Sequence, residues 1–210
     1  MVHLIGVEHK VQRRKSTAQV SQTRKGNWEL YSSAVKSAIS KVRPSVVAEE
    51  LNQELLDYYN KSESLLLSIK NDYELRTGAR IKHIFAEPCS AQKKQIRIKE
   101  DCDVRRILKA NGSHEPTDEL VSAHMAAHQF PIREQFWIGM IWGHLNSGVL
   151  FVCGDAHIDT FPMLLDLKGI AYNVIQRGIG MPPDELIGSK GVKYAQEIGL
   201  FGTVDCPCQK

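Results

Sequence analysis

The chain of 210 residues has no long hydrophobic run, since no segment approaches about 18 uninterrupted apolar residues, and we therefore predict no membrane span. Its first residues also lack a basic stretch followed by a long apolar one, as a secretory signal would have. Its five cysteines are scattered, without the spacing of a disulfide framework, which favours a reducing compartment. We therefore expect a cytoplasmic protein.

A strong excess of one charge is also lacking. The net charge is +3, and 42 % of the residues are hydrophobic against 24 % charged, which is an ordinary globular composition and argues against nucleic acid as the main partner. Basic residues are nevertheless frequent between positions 10 and 25, namely Lys10, Arg13, Arg14, Lys15, Arg24 and Lys25. This segment is either a solvated loop or a binding surface, in which Arg13 and Arg14 would hold an anionic substrate.

Short apolar segments alternate with amphipathic ones along the chain. The predicted strands are 2–7, 45–50, 82–87, 149–153 and 172–175. The predicted helices are 27–42, 51–74, 103–110, 118–128, 132–146, 160–167 and 183–198, with a polar loop up to about residue 26 and little assignable structure elsewhere between 89 and 131. This order predicts one α/β domain over residues 1–210, with a mostly parallel sheet and helices on both faces.

Two predicted strands end in the same pattern of glycine, two residues and histidine. Gly6 to His9 follow the first strand, and Gly154 to His157 follow the fourth. Glycine permits a sharp strand exit, through a positive φ or a close approach of the backbone, and the crevice of a parallel sheet lies beyond the carboxyl ends of its strands. We expect the two imidazoles to face each other across one cleft. The repeated pattern also suggests an internal duplication of a strand and helix unit.

Acidic and basic residues occur at matching positions in the predicted elements. Glu49 and Glu50 end the second strand, and because consecutive strand residues point to opposite faces, one of them is expected to reach the cleft. Arg133 begins the apolar helix that precedes the second Gly-x-x-His pattern, where it can bind Glu50 or a substrate anion, or stabilise an oxyanion. Residues 136–142 of that helix are strongly aromatic and predict either core or a homo-oligomer surface.

In this order, the motifs resemble those of the Tiki/TraB superfamily, which includes the erythromycin esterases and the haem-binding ChaN proteins. The shared elements are two Gly-x-x-His motifs, a glutamate after the second strand and an arginine on a helix ahead of the second motif, and they span residues 6–157 here. Because members include metal-dependent peptidases and esterases, the resemblance implies a hydrolase with His9, Glu50, Arg133 and His157 in its site. The chain is short, lacks the membrane parts of the Tiki and TraB branches, and matches none of them over residues 89–131.

Two mechanisms for cleaving a peptide or a small-molecule ester fit these residues. In the first, His9, Glu49, Glu50 and His157 supply ligands to manganese, zinc, cobalt or iron, a set that does not choose among these metals. In the second, without metal, His9 or His157 is a general base oriented by Glu50, and Arg133 stabilises the oxyanion. The alternatives are a haem- or ligand-binding module without catalysis, and a nucleotide or nucleic-acid binder that uses the basic segment 10–25.

Overall fold

A computed structural model describes residues 1–8, 11–14, 22–58, 63–112, 114–181 and 187–200, although the side chains of residues 13–14, 22–25 and 187–190 are not described. In chain order the strands are β1 (Val2–Val7), β2 (Arg13–Arg14), β3 (Val46–Glu49), β4 (Glu63–Ser64), β5 (Lys82–Phe85), β6 (Val149–Gly154) and β7 (Tyr172–Ile179). Five of them form one sheet in the order β5-β3-β6-β1-β7, while β2 and β4 form a separate antiparallel pair. All four pairings in the larger sheet are parallel.

The α-helices are α1 (Gln22–Val42), α2 (Gln53–Tyr58), α3 (Leu65–Thr77), α4 (Ser90–Gln95), α5 (Asp101–Ala110), α6 (Asp118–His124), α7 (Phe130–Ile141), α8 (Phe161–Leu167) and α9 (Ile187–Glu197). A π-helical turn, Met125–Gln129, joins α6 to α7, and 3₁₀ turns occupy Trp142–Ser147 and Asp155–His157. In the part of the chain that the structure describes, no helix combines the length and apolarity needed to cross a bilayer.

Alternation along the strands divides the interior into two hydrophobic cores, one on each face of the sheet. On one face, Leu4, Ala48 and Phe151 pack with residues of α7 and α8 such as Trp137 and Leu165. The opposite core contains the intervening strand residues together with residues of α1 and α3, and it includes Ile5, Val47, Val152, Tyr31, Ile39 and Leu66. The predicted α/β fold, with a parallel sheet covered by helices on both faces, is therefore confirmed.

Several predicted boundaries differ from the structure. The predicted polar loop ends early, because α1 begins at Gln22 and includes part of the basic segment. The predicted helix 51–74 is divided in two, because extended Ser64 pairs with Arg13 and then caps α3, its hydroxyl accepting a hydrogen bond from the Leu67 N–H at 2.9 Å. The polar segment 89–131 contains α4, α5 and α6. A small core of Val104, Leu108, Val121 and Met125 joins α5 and α6 to the π-helical turn.

The aromatic helix contributes to both core and surface. Trp137 and Ile141 are fully buried on the sheet side of α7, whereas Met140 and Trp142 are 41 % and 60 % exposed on the other side. The predicted use of this surface in a homo-oligomer stays a prediction.

Candidate active site at the carboxyl edge of the sheet

The strand order brings three separate strand ends together. β6 lies between β3 and β1, so that Val7 pairs with Gly154 and the Glu50 N–H donates to the Val152 carbonyl at 2.9 Å. The exit of β1, which precedes His9, is therefore adjacent to the exit of β6, which leads to His157. His9 itself lies outside the described residues, so the expected contact between the two imidazoles stays a prediction.

The first glycine of the repeated pattern is required by a close approach, not by a positive φ. A Cβ atom at Gly6 would lie 2.4 Å from Ile158 Cγ1 and 2.5 Å from Asp155 Oδ1, far inside normal contact distances. Gly154 has φ −58° and ψ 141°, a backbone conformation open to other residues. Gly6 thus allows the 3₁₀ turn after β6, which carries His157, to pack directly on β1.

Asp155 fastens that turn to the neighbouring strand β7. Its Oδ1 accepts a hydrogen bond from the Gly178 N–H at 2.7 Å, and its Oδ2 accepts one from Arg177 at 3.0 Å. Arg177 also forms a two-pronged ion pair with Asp159, at 2.9 and 3.0 Å. Irregular pairing between β1 and β7 brings Arg177 and Gly178 to this position, so each carboxylate oxygen of Asp155 has a partner on β7.

Glu50, Arg133 and His157 meet on the α7 face of the sheet. Glu50 Oε1 lies 3.4 Å from Arg133 Nη1 and 3.4 Å from His157 Nε2. Its other oxygen accepts a hydrogen bond from the Gly154 N–H at 2.7 Å, which fixes the carboxylate against the second Gly-x-x-His motif. Three residues that the sequence singled out, far apart along the chain, are thus brought together at one point.

His157 is enclosed between two carboxylates and two aromatic rings. Only 1 % of it is exposed, its Nδ1 lies 2.8 Å from Glu134 Oε1, and its ring centroid lies 4.1 Å from that of Phe130 and 4.7 Å from that of Trp137. Burial opposes the charged imidazolium, but the negative charge of Glu50 and the hydrogen bonds to Glu134 and Glu50 outweigh it and raise the pKa of His157 to about 9. The imidazole is therefore protonated at neutral pH.

Arg133 connects this cluster to the helical segment above the sheet edge. Its Nη2 lies 3.3 Å from Glu100 Oε2 and its Nε lies 3.7 Å from Glu87 Oε1, and Lys93 bridges the same two carboxylates at 2.8 and 2.7 Å. Burial disfavours the guanidinium, but the charges of Glu87, Glu50 and Glu100 overcome this and raise the pKa of Arg133. We call these residues the carboxyl-edge cluster. It contains four carboxylates, Glu50, Glu87, Glu100 and Glu134, and three cations, Lys93, Arg133 and His157.

No family model, curated protein or solved structure matches the chain. The assignment of function therefore depends on the chemistry of the carboxyl-edge cluster.

Glu49 does not join this cluster, although the sequence made it a candidate metal ligand. Strand alternation turns it to the α1 face, where its Oε1 accepts a hydrogen bond from the Ser64 hydroxyl and lies 2.7 Å from His83 Nε2. Burial, and then the charge of Glu49, raise the pKa of the fully buried Tyr31 on the same face. Glu49 therefore does not lie beside Glu50, as a shared metal ion would require, since the two side chains point to opposite faces. The part of the predicted metal set that includes His9 stays a prediction.

The described residues do not form a metal site by themselves. Among them, no group of three or more His, Cys, Asp or Glu side chains is arranged to hold an ion. Glu50 Oε1 and His157 Nε2 would offer two ligand atoms, but the Arg133 guanidinium contacts the same oxygen and its charge opposes a second cation there. A metal bound beside Glu50 would therefore need ligands from outside the described residues, of which His9 is the predicted one, and the choice among manganese, zinc, cobalt and iron stays open.

Several members of the carboxyl-edge cluster were missed in the sequence. Glu87 follows β5 much as Glu50 follows β3, so its position at a strand end was an available signal. The Oε1 of Glu134 also accepts a hydrogen bond from the Thr160 hydroxyl. In the sequence, the only signal for Glu134 was its position directly after Arg133. Lys93 and Glu100 come from the segment that periodicity could not assign, and no sequence pattern indicates them.

The remaining predictions on the basic segment concern side chains that are not described. Arg13 and Arg14 form β2, which pairs with β4, and their side chains lie outside the described part of the structure. Their predicted role in substrate binding, and that of segment 10–25 in binding nucleotides or nucleic acid, stay predictions.

Proposed function

We propose that the protein is a hydrolase of the Tiki/TraB type, which cleaves a peptide or ester bond at the carboxyl edge of its sheet. The observation that carries this proposal is that Arg133 Nη1 and His157 Nε2 each lie 3.4 Å from the same oxygen of Glu50. They lie beside the end of β1, two positions before His9, and crevices at the carboxyl ends of parallel strands are the usual sites of such folds.

The roles of the two histidines differ in this proposal. With a pKa raised to about 9, His157 carries its proton at neutral pH and is buried, so it positions Glu50 and does not serve as the base. His9 is then the general base that activates a water molecule for attack on the substrate carbonyl. Arg133 supplies positive charge for the oxyanion that develops as the carbonyl is attacked.

Protein groups alone carry these steps. A divalent metal bound through His9 would add a further source of activated water and belongs to the proposal only if metal analysis of the purified protein finds one. The haem alternative receives no specific support, because both ring nitrogens of His157 face carboxylates. A cytoplasmic location is part of the proposal, resting on the scattered cysteines of the sequence.

The test is turnover by purified wild-type protein and variants on a panel of nitrophenyl esters and fluorogenic peptides. We expect His9→Ala and Arg133→Lys to lose turnover by at least about a hundredfold, in line with the loss of a general base or an oxyanion donor. His114→Ala replaces an exposed histidine and is the matched control, with turnover unchanged. Full turnover in His9→Ala would contradict the proposal, and so would the absence of turnover by the wild type on every member of a broad panel.

A further inference from the structure

A concavity lies at the opposite edge of the sheet from the carboxyl-edge cluster. It has a volume of about 550 Å³ and is lined by residues at the amino ends of β3 and β5 and before β6, among them Ser45, Arg80, Lys82, His144 and Ser147. We call it the amino-edge cavity. Val46 and Glu50 are four strand residues apart, so the two sites are separated by about 13 Å.

Neither Arg80 nor Lys82, the two cations that line the amino-edge cavity, forms an ion pair in the described part of the chain. Lys82 Nζ donates to His144 Nε2 at 3.0 Å and forms no ion pair there. Glu74 also lines the cavity, but its carboxylate is already engaged, since it accepts a hydrogen bond from the Ile81 N–H and forms a 2.8 Å ion pair with Lys70. The hydrogen bonds from Ile81 and Lys70 and, after them, the charges of Lys70 and Arg80 lower the pKa of Glu74, so this carboxylate balances part of the charge of Arg80. Lys82 is left without an ion pair among the described residues.

The donors in this cavity suit a phosphate group. Lys82 has two further N–H donors besides the one that it donates to His144. Arg80 offers a planar guanidinium whose donors match two oxygens of one phosphate. With its Nε2 accepting from Lys82, His144 carries its proton on Nδ1, and this N–H is a further donor. The hydroxyls of Ser45 and Ser147 line the same wall but already donate their hydrogens to the carbonyls of Gly148 and His144, so they add polarity and no free donor.

We propose that the amino-edge cavity binds a small phosphate-bearing anion, through Arg80, Lys82 and His144. The volume lies within the range of small-molecule sites, about 300–1,000 Å³. This inference is independent of the proposed hydrolase, because it concerns other residues and another edge of the sheet. The two groups of residues lie at opposite edges of the sheet, so the anion is a second ligand and not the substrate of the carboxyl-edge cluster.

The experiment is a titration of the full-length, ¹⁵N-labelled chain with inorganic phosphate at low ionic strength, followed by amide chemical shifts. We expect saturable shifts at Ser45, Lys82 and His144, which sodium chloride at equal ionic strength does not reproduce. The double variant Arg80→Gln/Lys82→Gln should bind at least tenfold more weakly. Lys168→Gln, which removes an exposed lysine at the end of α8, should bind as the wild type does.

Three results would overturn this proposal. They are shifts that grow linearly without saturation, equal shifts with chloride, and unchanged affinity in the double variant. Because both substituted side chains are exposed, the double variant should keep the wild-type melting temperature. Arg80→Lys tests the planar guanidinium separately, and we expect it to restore only part of the affinity.

Discussion

Replacing Gly6 by alanine tests whether the 3₁₀ turn after β6 packs on β1 as closely as the structure places it. The added Cβ would lie 2.4 Å from Ile158 Cγ1 and 2.5 Å from Asp155 Oδ1, whereas carbon contacts are normally about 3.5–4.0 Å. Ile158 and Asp155 would both have to move by about 1 Å. Ile158 is only 5 % exposed, and Asp155 is held by hydrogen bonds to Gly178 and Arg177, so neither can move freely.

The expected cost follows from those two displacements. Overpacking a well-filled interior costs about 1–3 kcal/mol, and weakening a hydrogen bond to a buried carboxylate adds about 1–2 kcal/mol. We therefore expect Gly6→Ala to lower the free energy of unfolding by about 3 kcal/mol. For a chain of this size that corresponds to a fall in melting temperature of about 6–12 °C.

Thermal unfolding followed by far-UV circular dichroism measures this effect, with Gly139→Ala as the matched control. Gly139 is exposed on α7, and a Cβ atom there meets nothing within 4 Å, so alanine should stabilise the helix by up to about 1 kcal/mol. If Gly6→Ala melted within about 2 °C of the wild type, the close packing of the turn on β1 would be refuted.

Three further predictions concern the buried charges. Because the pKa of His157 is raised from 6.5 to about 9, its stabilisation, about 3 kcal/mol, is complete below pH 6.5 and is lost as the pH rises through 9. Urea unfolding of wild type and His157→Gln in EDTA should show this difference, and parallel pH curves would contradict it. Arg133→Met should cost about 3–5 kcal/mol in the same assay, because it leaves buried carboxylates without their cation, and a loss below about 1 kcal/mol would count against the ion pairs. Glu49→Gln should lower the free energy of unfolding by about 1–2 kcal/mol yet keep turnover, whereas Glu50→Gln should lose turnover. Equal effects of the two substitutions on turnover would contradict the placement of Glu49 outside the site.

Local patterns in the sequence predict the strands and their exits well. The β-branched and apolar segments at β1 and β6 lie within one residue of their predicted bounds, because buried strands need continuous apolar side chains. The opposite directions of Glu49 and Glu50 also follow from the two-residue period of a strand. The sequence could not say which of them joins the site, because that depends on which helix covers each face.

Boundaries controlled by distant contacts were harder to predict. The division between α2 and α3 depends on Ser64 pairing with Arg13, a contact across some fifty residues. β7 runs to Ile179, four residues beyond its predicted end, where irregular pairing with β1 and the bond from Gly178 to Asp155 hold it. Such contacts leave no periodic signal in the segment that they shape.

By itself, the amino-acid sequence determined that buried strands alternate with helices and that polar residues follow the strand ends, since both depend on neighbours within a few positions. Only the tertiary structure decided that β6 lies between β3 and β1. It also decided that Glu134 pairs with His157, and that Glu87 and Glu100 pair with Arg133. Strand order and partner choice are set by packing between segments far apart in the chain, and therefore only the folded protein brings the carboxyl-edge cluster together.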